Sequence, residues 1–189
     1  MNTFDPNTHI YRIGDKTVPS VTQVLSEIGW VDKTWFTPDG AARGTEVHRV
    51  LAAIDRGEEC SYDADLDGYV KAWEKFKLAG SLFGPCWPCL ETPLYSSTYG
   101  LAGTIDRVHG ETITEIKTGA PAWWHVYQLG GYALLLNDNG GTFKAGEMVY
   151  LDKDGSHAVV RHKACEMLRA KRIFQAALTC VSVARAERK

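Results

Sequence analysis

The chain contains no apolar run near the roughly 20 residues that a membrane-spanning helix needs. Its opening, MNTFDPNTHIYRI, has neither the basic stretch nor the apolar stretch of a secretion signal. A cytoplasmic protein without a membrane partner is therefore expected. In a phage-encoded protein that would be the bacterial host cytoplasm. Internal repeats, low-complexity tracts and Pro/Gly/Ser-rich linkers are lacking, so one domain spanning 1–189 is expected. The G-x-x-x-x-G-K-[ST] motif is absent, which argues against a nucleotide cofactor or an intrinsic motor. Net charge is low, at -2, so a polyanionic partner would have to be met by positive charge gathered locally. The five cysteines are odd in number and suit free thiols in a reducing compartment. Cys86 and Cys89 have a C-x-x-C spacing, but a zinc site needs two more good ligands. Cys60, Cys165 and Cys180 are scattered, so buried thiols are the expectation for all of them.

What is present is concentrated between Gly103 and Tyr132. Two runs rich in β-branched residues, Thr104–Val108 and Thr112–Lys117, flank His109-Gly110 and read as a hairpin. Alternation along a strand puts Glu115 and Lys117 on one face and Ile116 on the other. With His109-Gly110 as a two-residue loop, Asp106 falls opposite Ile113 and diagonal to Glu115, where two carboxylates can converge on one hard cation.

Before that stretch, HIYRI and TVPSV around Gly14-Asp15 read as a small hairpin, and Ser20 as the N-cap of a helix over Val21–Ile28. Together they form an N-terminal decoration over 1–38. Trp30, Trp35 and Phe36 either plug the core or offer a stacking platform for bases. Asp39–Arg56 reads as a helix closed by Gly57, with Val47, Leu51 and Ile54 inward and His48 beside Val47. Asp65–Ala79 is a second amphipathic helix ending at Gly80, and Pro85–Tyr95 is a strand that carries Glu91. After the hairpin, a helix over Pro121–Leu136 is expected, with Pro at its first position. On it Trp124, Gln128 and Tyr132 share one face. Another hairpin follows, Lys144–Asp152 with Ala158–His162. A long helix over 164–188 carries Arg169, Lys171, Arg172, Arg185 and Arg188, the largest local gathering of positive charge.

These residue types suit phosphodiester hydrolysis. That reaction needs an activated water, neutralised phosphoryl oxygens and a stabilised leaving alkoxide. Mg²⁺ held by one or two carboxylates, with positions left for water, supplies all three. Asp106 and Glu115 are the anionic ligand candidates, and the Ile116 carbonyl is placed for a third. Lys117 can hold the attacking water. His48 would add an imidazole and favour Mn²⁺ relative to Mg²⁺, and Glu91 could complete the shell directly or through water. Arg43 and Arg49 flank His48, Arg43 could reach a phosphate, and Gly119 lets backbone approach one.

The residues resemble the PD-(D/E)XK nuclease superfamily, in its RecB-like exonuclease branch with small phage-type members. The matching pieces are Arg43-Gly44-Thr45-Glu46-Val47-His48, Glu91, Gly103-Thr104-Ile105-Asp106, Glu115-Ile116-Lys117-Thr118-Gly119 and Gln128-Leu129-Gly130-Gly131-Tyr132. VPSVTQVL also looks like the opening of the phage proteins. The resemblance implies an α/β, restriction-endonuclease-like core of order αβββαβ, with a mixed central sheet flanked by helices. It implies a catalytic centre of His48, Asp106, Glu115 and Lys117, with Gln128 and Tyr132 on the helix that positions DNA beside it. Thr118, Gly119, Trp124, Arg43 and Arg49 are the further DNA-contact candidates. The activity implied is Mg²⁺- or Mn²⁺-dependent exonucleolysis (one or two ions) at single- or double-stranded DNA ends. It would serve phage or mobile-element recombination, repair or replication, with a recombination or single-strand annealing protein as a partner. Some relatives carry an iron–sulfur cluster on a C-terminal cysteine trio. Here only Cys165 and Cys180 lie late, so no cluster is expected. The alternatives are an endonuclease of structure-specific or restriction type and a silent nucleic-acid-binding module on the same fold.

Overall fold

The computed structural model describes the chain apart from residues 7, 33, 35–36, 82–85 and 189, and apart from the side chains of 80–89. The expectations placed on Trp35, Phe36, Pro85 and the side chains of Cys86 and Cys89 therefore lie outside the described residues.

A five-stranded mixed sheet forms the centre, in the order β4 (Cys86–Ser96), β5 (Leu101–His109), β6 (Thr112–Lys117), β7 (Ala145–Leu151), β8 (His157–Lys163). Neighbours are antiparallel except β6 and β7, which run parallel and are joined by the crossover helix α4 (His125–Asp138). Helices cover both faces. On one side α4 packs with α1 (Val21–Glu27) and α5 (Ala164–Glu187) around Ile105, Ile113, Leu129 and Phe174. On the other, α2 (Pro38–Arg56) and α3 (Asp67–Phe76) enclose Val47, Leu51, Trp73, Ile116 and Val149. The expected core order of helix, three strands, helix and strand is thus the observed one, with α3 inserted and β8 and α5 appended. No helix among the described residues is long and apolar enough to cross a membrane.

The local signals act as expected at several ends. Ser20 caps α1 in a reciprocal box with Gln23. Thr37 caps α2 by accepting the Gly40 N–H, and Gly57, at φ 73°, ends it in the left-handed conformation. Other boundaries differ. A polar strand, β1 (Asn2–Asp5), joins the expected hairpin β2 (Ile10–Ile13) and β3 (Lys16–Val18) in a separate three-stranded sheet. The second amphipathic helix opens with a 3-10 turn (Ala64–Leu66). It does not stop at Gly80 but loosens into a π turn, Lys77–Ser81.

The hairpin β5–β6 turns at Gly110-Glu111 rather than at His109-Gly110, because Gly110 takes φ 52° and His109 still pairs with Thr112. Ile113 consequently faces Val108, not Asp106. The offset is two residues, an even number, so the alternation of faces is preserved. Helix α4 begins at His125, not Pro121. A turn over Ala122–His125 precedes it, with the Ala122 N–H directed at His125 Nδ1 (3.3 Å). That turn buries Trp124 and leaves Trp123 63% exposed beside Trp30 and Tyr127. The expected thiol burial also fails at two positions: Cys165 and Cys180 are exposed and Cys60 is half-buried.

Candidate metal centre

His48 sits on α2 one position past Val47, so the packing of Val47, Val50 and Leu51 holds its ring at the edge of the buried stripe. There its Nδ1 lies 3.1 Å from Glu91 Oε1 and 3.3 Å from Asp106 Oδ1. The potential ligand atoms of the three residues all fall within 4.8 Å of one another. Glu91 reaches this point through unusual backbone, since it is a non-glycine strand residue at φ 52° beside an irregularity in the β4–β5 register. Asp106 enters where the β5–β6 ladder ends. Its Oδ2 accepts the Ile116 N–H at 2.7 Å.

On the neighbouring strand, Glu115 Oε1 accepts from Lys117 Nζ (2.8 Å) and from Gln128 Nε2 (2.7 Å). Gln128 Nε2 also lies 2.9 Å from the Tyr132 hydroxyl. Gln128 and Tyr132 stand one helical turn apart and are both buried. The centre is therefore assembled from β4, β5, β6, α2 and α4.

Its electrostatics are unbalanced. Burial and then the Asp106 carboxylate push Glu115 up to about 8. Asp106 is held below the usual carboxylate range: burial opposes this, but the His48 charge and hydrogen bond, Lys117 and the Ile116 N–H outweigh it. Burial likewise works against a charged His48, and the Asp106 and Glu91 carboxylates overcome it and raise the imidazole well above its usual value. Among the described residues, Glu115 Oε2 and Gln128 Oε1 are buried and meet no donor. Two orphaned acceptors beside a cluster of carboxylates and an imidazole fit a divalent cation of the Mg²⁺ or Mn²⁺ kind.

Behind the centre lies a second charged cluster that motif reading missed. Arg107 is fully buried. Its Nε donates to Asp55 Oδ2 (2.9 Å) and its Nη1 to Glu91 Oε1 (3.2 Å) and the Asp106 carbonyl (2.7 Å). Asp55 also receives Trp73 Nε1 (3.0 Å) and Lys77 Nζ (2.9 Å). A charged residue within a strand of apolar neighbours was the available signal for Arg107. Nothing in the sequence pairs it with Asp55.

The centre opens into a cleft of about 830 Å³ whose walls include His48, Glu91 and Asp106. Arg49 also lines it, but its guanidinium is engaged by Glu46 (2.6 and 2.8 Å) and the Ser61 carbonyl. Arg43, Thr118 and Gly119 border a different hollow, of about 550 Å³, together with Lys153 and His157. Gly44 joins the two regions: a Cβ there would stand 3.6 Å from Thr118 Oγ1. Trp124 belongs to the core, so its ring is not on offer to a base, and among the described residues the exposed indole is that of Trp123. The basic helix α5 spends part of its charge internally, with Arg185 on Glu27 and Lys171 on Asn137.

No protein-family model matches the chain, and no curated protein matches it. Among solved structures, the crystal structure of an alkaline exonuclease (LHK-Exo) from Laribacter hongkongensis is similar at 13% identity and a TM-score of 0.42, over 90% of this chain and 94% of that one. The crystal structure of LHK-Exo in complex with dAMP is similar at 11% identity and the same TM-score of 0.42, over 91% of this chain and 95% of that one. A likeness at that score carries no argument about this chain's chemistry.

Proposed function

We propose that the protein is a metal-dependent deoxyribonuclease that hydrolyses phosphodiester bonds at DNA ends, an exonuclease of the PD-(D/E)XK, RecB-like type. Its setting would be recombination, repair or replication of a phage or mobile element, beside a recombination or single-strand annealing protein. The observation that carries this is the convergence of His48, Glu91 and Asp106 within 4.8 Å in a cleft, next to Glu115 with its unpartnered Oε2. The sequence resemblance adds the same residues in the same order.

Asp106, Glu115, His48, Glu91 and the Ile116 carbonyl are the groups that would hold the cation. In an extended strand a residue's N–H and C=O face the same neighbour, so the Ile116 carbonyl turns to the side from which Asp106 takes its N–H. A bound Mg²⁺ or Mn²⁺ supplies charge neutralisation at the phosphoryl oxygens and lowers the pKa of water. Lys117, tethered to Glu115, holds the attacking water and favours its hydroxide form. The water gives up one proton to solvent and its oxygen bonds to phosphorus as the bond to the leaving 3′ or 5′ oxygen breaks, and that oxygen takes up a proton from solvent. Gln128 keeps Glu115 oriented, and Tyr132 closes the chain of hydrogen bonds behind it.

The test is end-labelled single- and double-stranded DNA incubated with Mg²⁺, Mn²⁺ or EDTA, with products sized over time. Cation-dependent release of short products from linear DNA, with covalently closed circles left intact, is expected. Cleavage of the circles would replace this reading with the endonuclease one. Absence of cleavage under every cation would leave a binding module.

A further inference from the structure

The cleft in front of the metal centre has a second wall, made by the N-terminal sheet. Phe4, His9 and Tyr11 line it, in the same cleft as His48 and Asp106. The Phe4 and Tyr11 rings are stacked with centroids 4.4 Å apart, and His9 meets Phe4 edge-on at 5.9 Å. The wall is fixed to the strand that carries Asp106. The Tyr11 hydroxyl lies 2.8 Å from Thr104 Oγ1, and Thr104 is two residues before Asp106, on the same face of β5. The Ala102 N–H bonds the Pro19 carbonyl at 3.0 Å and ties the end of the sheet to the same strand.

Backbone strain marks the same place. Among the described residues, two non-glycine residues adopt positive φ, His9 at 51° and Glu91 at 52°. Both line this cleft. A left-handed conformation costs about 1–3 kcal/mol in a residue with a side chain, and it persists where the surroundings enforce it, most often at ligand sites. Glu91 is accounted for by its carboxylate at the metal centre. His9 takes its left-handed conformation in the turn that joins β1 to β2, and that turn presents its exposed imidazole to the aromatic stack.

We infer that Phe4, His9 and Tyr11 form a nucleobase subsite, in which an unpaired base next to the scissile phosphate continues the Tyr11–Phe4 stack while His9 bonds its polar edge. Aromatic side chains bind bases through their π-faces with little regard to sequence, as end-directed cleavage requires. A base can enter the stack only when it is out of the duplex, so the protein favours single-stranded or frayed ends over blunt paired ones. The inference rests on the deoxyribonuclease reading for its orientation along the strand, but the binding it describes does not require hydrolysis.

The experiment measures binding in EDTA, by fluorescence anisotropy, of short single-stranded DNA and of the same strands carrying one abasic position moved stepwise from the end. In the wild-type chain one abasic position weakens binding about tenfold, within the range for loss of one base–aromatic stack. In Phe4→Ala and His9→Ala the intact strand is weakened by a similar factor, and the abasic position no longer matters. Thermal melting of both variants checks the fold, and Phe4→Tyr restores binding. Equal sensitivity to the abasic position in wild type and variants overturns the subsite. Failure of the deoxyribonuclease reading shows separately, as a lack of cation-dependent cleavage with the base effect intact.

Discussion

Asp106 and Arg107 are consecutive in β5, yet their side chains enter two charged clusters of opposite character. Around Arg107 most of the charge is answered, with Nη2 alone of the guanidinium nitrogens left without a hydrogen-bond partner among the described residues. Asp55 takes donors from Arg107, Lys77 and Trp73, and the guanidinium also bonds Glu91 and the Asp106 carbonyl, with the Trp73 ring 5.5 Å from its Cζ. Around Asp106 it is not. Three carboxylates crowd two cationic side chains, and Glu115 Oε2 and Gln128 Oε1 meet no donor among the described residues. A cluster whose opposite charges are mostly paired stabilises the fold and has no surplus of anions to offer a cation. One with such a surplus costs stability until a cation arrives. The contrast separates the two roles along a single strand.

The contrast breaks most sharply in activity. Asp106→Asn, which keeps an acceptor for the Ile116 N–H, and Lys117→Ala should each lose at least about 10³-fold in cleavage rate. Their urea midpoints should stay near wild type. Activity within tenfold of wild type in either variant would remove that residue from the centre. Arg107→Met should show the reverse emphasis. Removing one member of a buried ion pair costs about 3–5 kcal/mol, read as a lower urea midpoint. An unchanged midpoint would mean that the Asp55 cluster does not stabilise the fold.

The next effect sharpens the comparison by filling one side only. Mn²⁺ at about 100 times its Kd should raise stability by about 2.7 kcal/mol through mass action. The gain should shrink in Asp106→Asn and His48→Ala and survive in variants remote from the centre. Equal stabilisation of Asp106→Asn would place the ion elsewhere.

The smallest effect concerns pH. Burial first, and then Lys117, hold His125 down to about 4, neutral beside the Tyr150 hydroxyl (2.9 Å). Its unfolded form binds a proton near 6.5. Between those values the unfolded chain holds more protons, so stability is complete above about 6.5 and falls as pH drops toward about 4. His125→Gln should flatten that part of the pH–stability curve measured by urea unfolding. An unaltered slope would show that other groups cause it.

The sequence was most informative where chemistry is local. Alternation within β6 was enough to pair Glu115 with Lys117, and helical spacing was enough to put Tyr132 one turn past Gln128. The register of β5–β6 was misjudged because His109-Gly110 and Gly110-Glu111 both offer the glycine that a tight turn needs. The start of α4 was misjudged because Pro121 satisfies the rules for a first helical position. The burial of Trp124, a tertiary demand, moved the start to His125. Glu91 could be suspected but not aimed, since its side-chain direction depends on a left-handed backbone that no residue type announces. The Arg107–Asp55 pair and the aromatic wall were hidden for a simpler reason: their members come from separate elements and carry no shared spacing.

The parallel pairing of β6 with β7 has a consequence in time. The β5–β6 hairpin closes over a two-residue turn, an event of about 1–10 μs, whereas parallel strands must wait for their crossover helix. Asp106, Glu115 and Lys117 therefore come together early, before α2 brings His48 from far upstream. In that interval the two carboxylates repel each other, offset in part by Lys117 and by the solvent. The expected consequence is that Mn²⁺ in the refolding buffer shortens the folding time itself, so that an ion held at this centre would also speed the chain toward its folded shape.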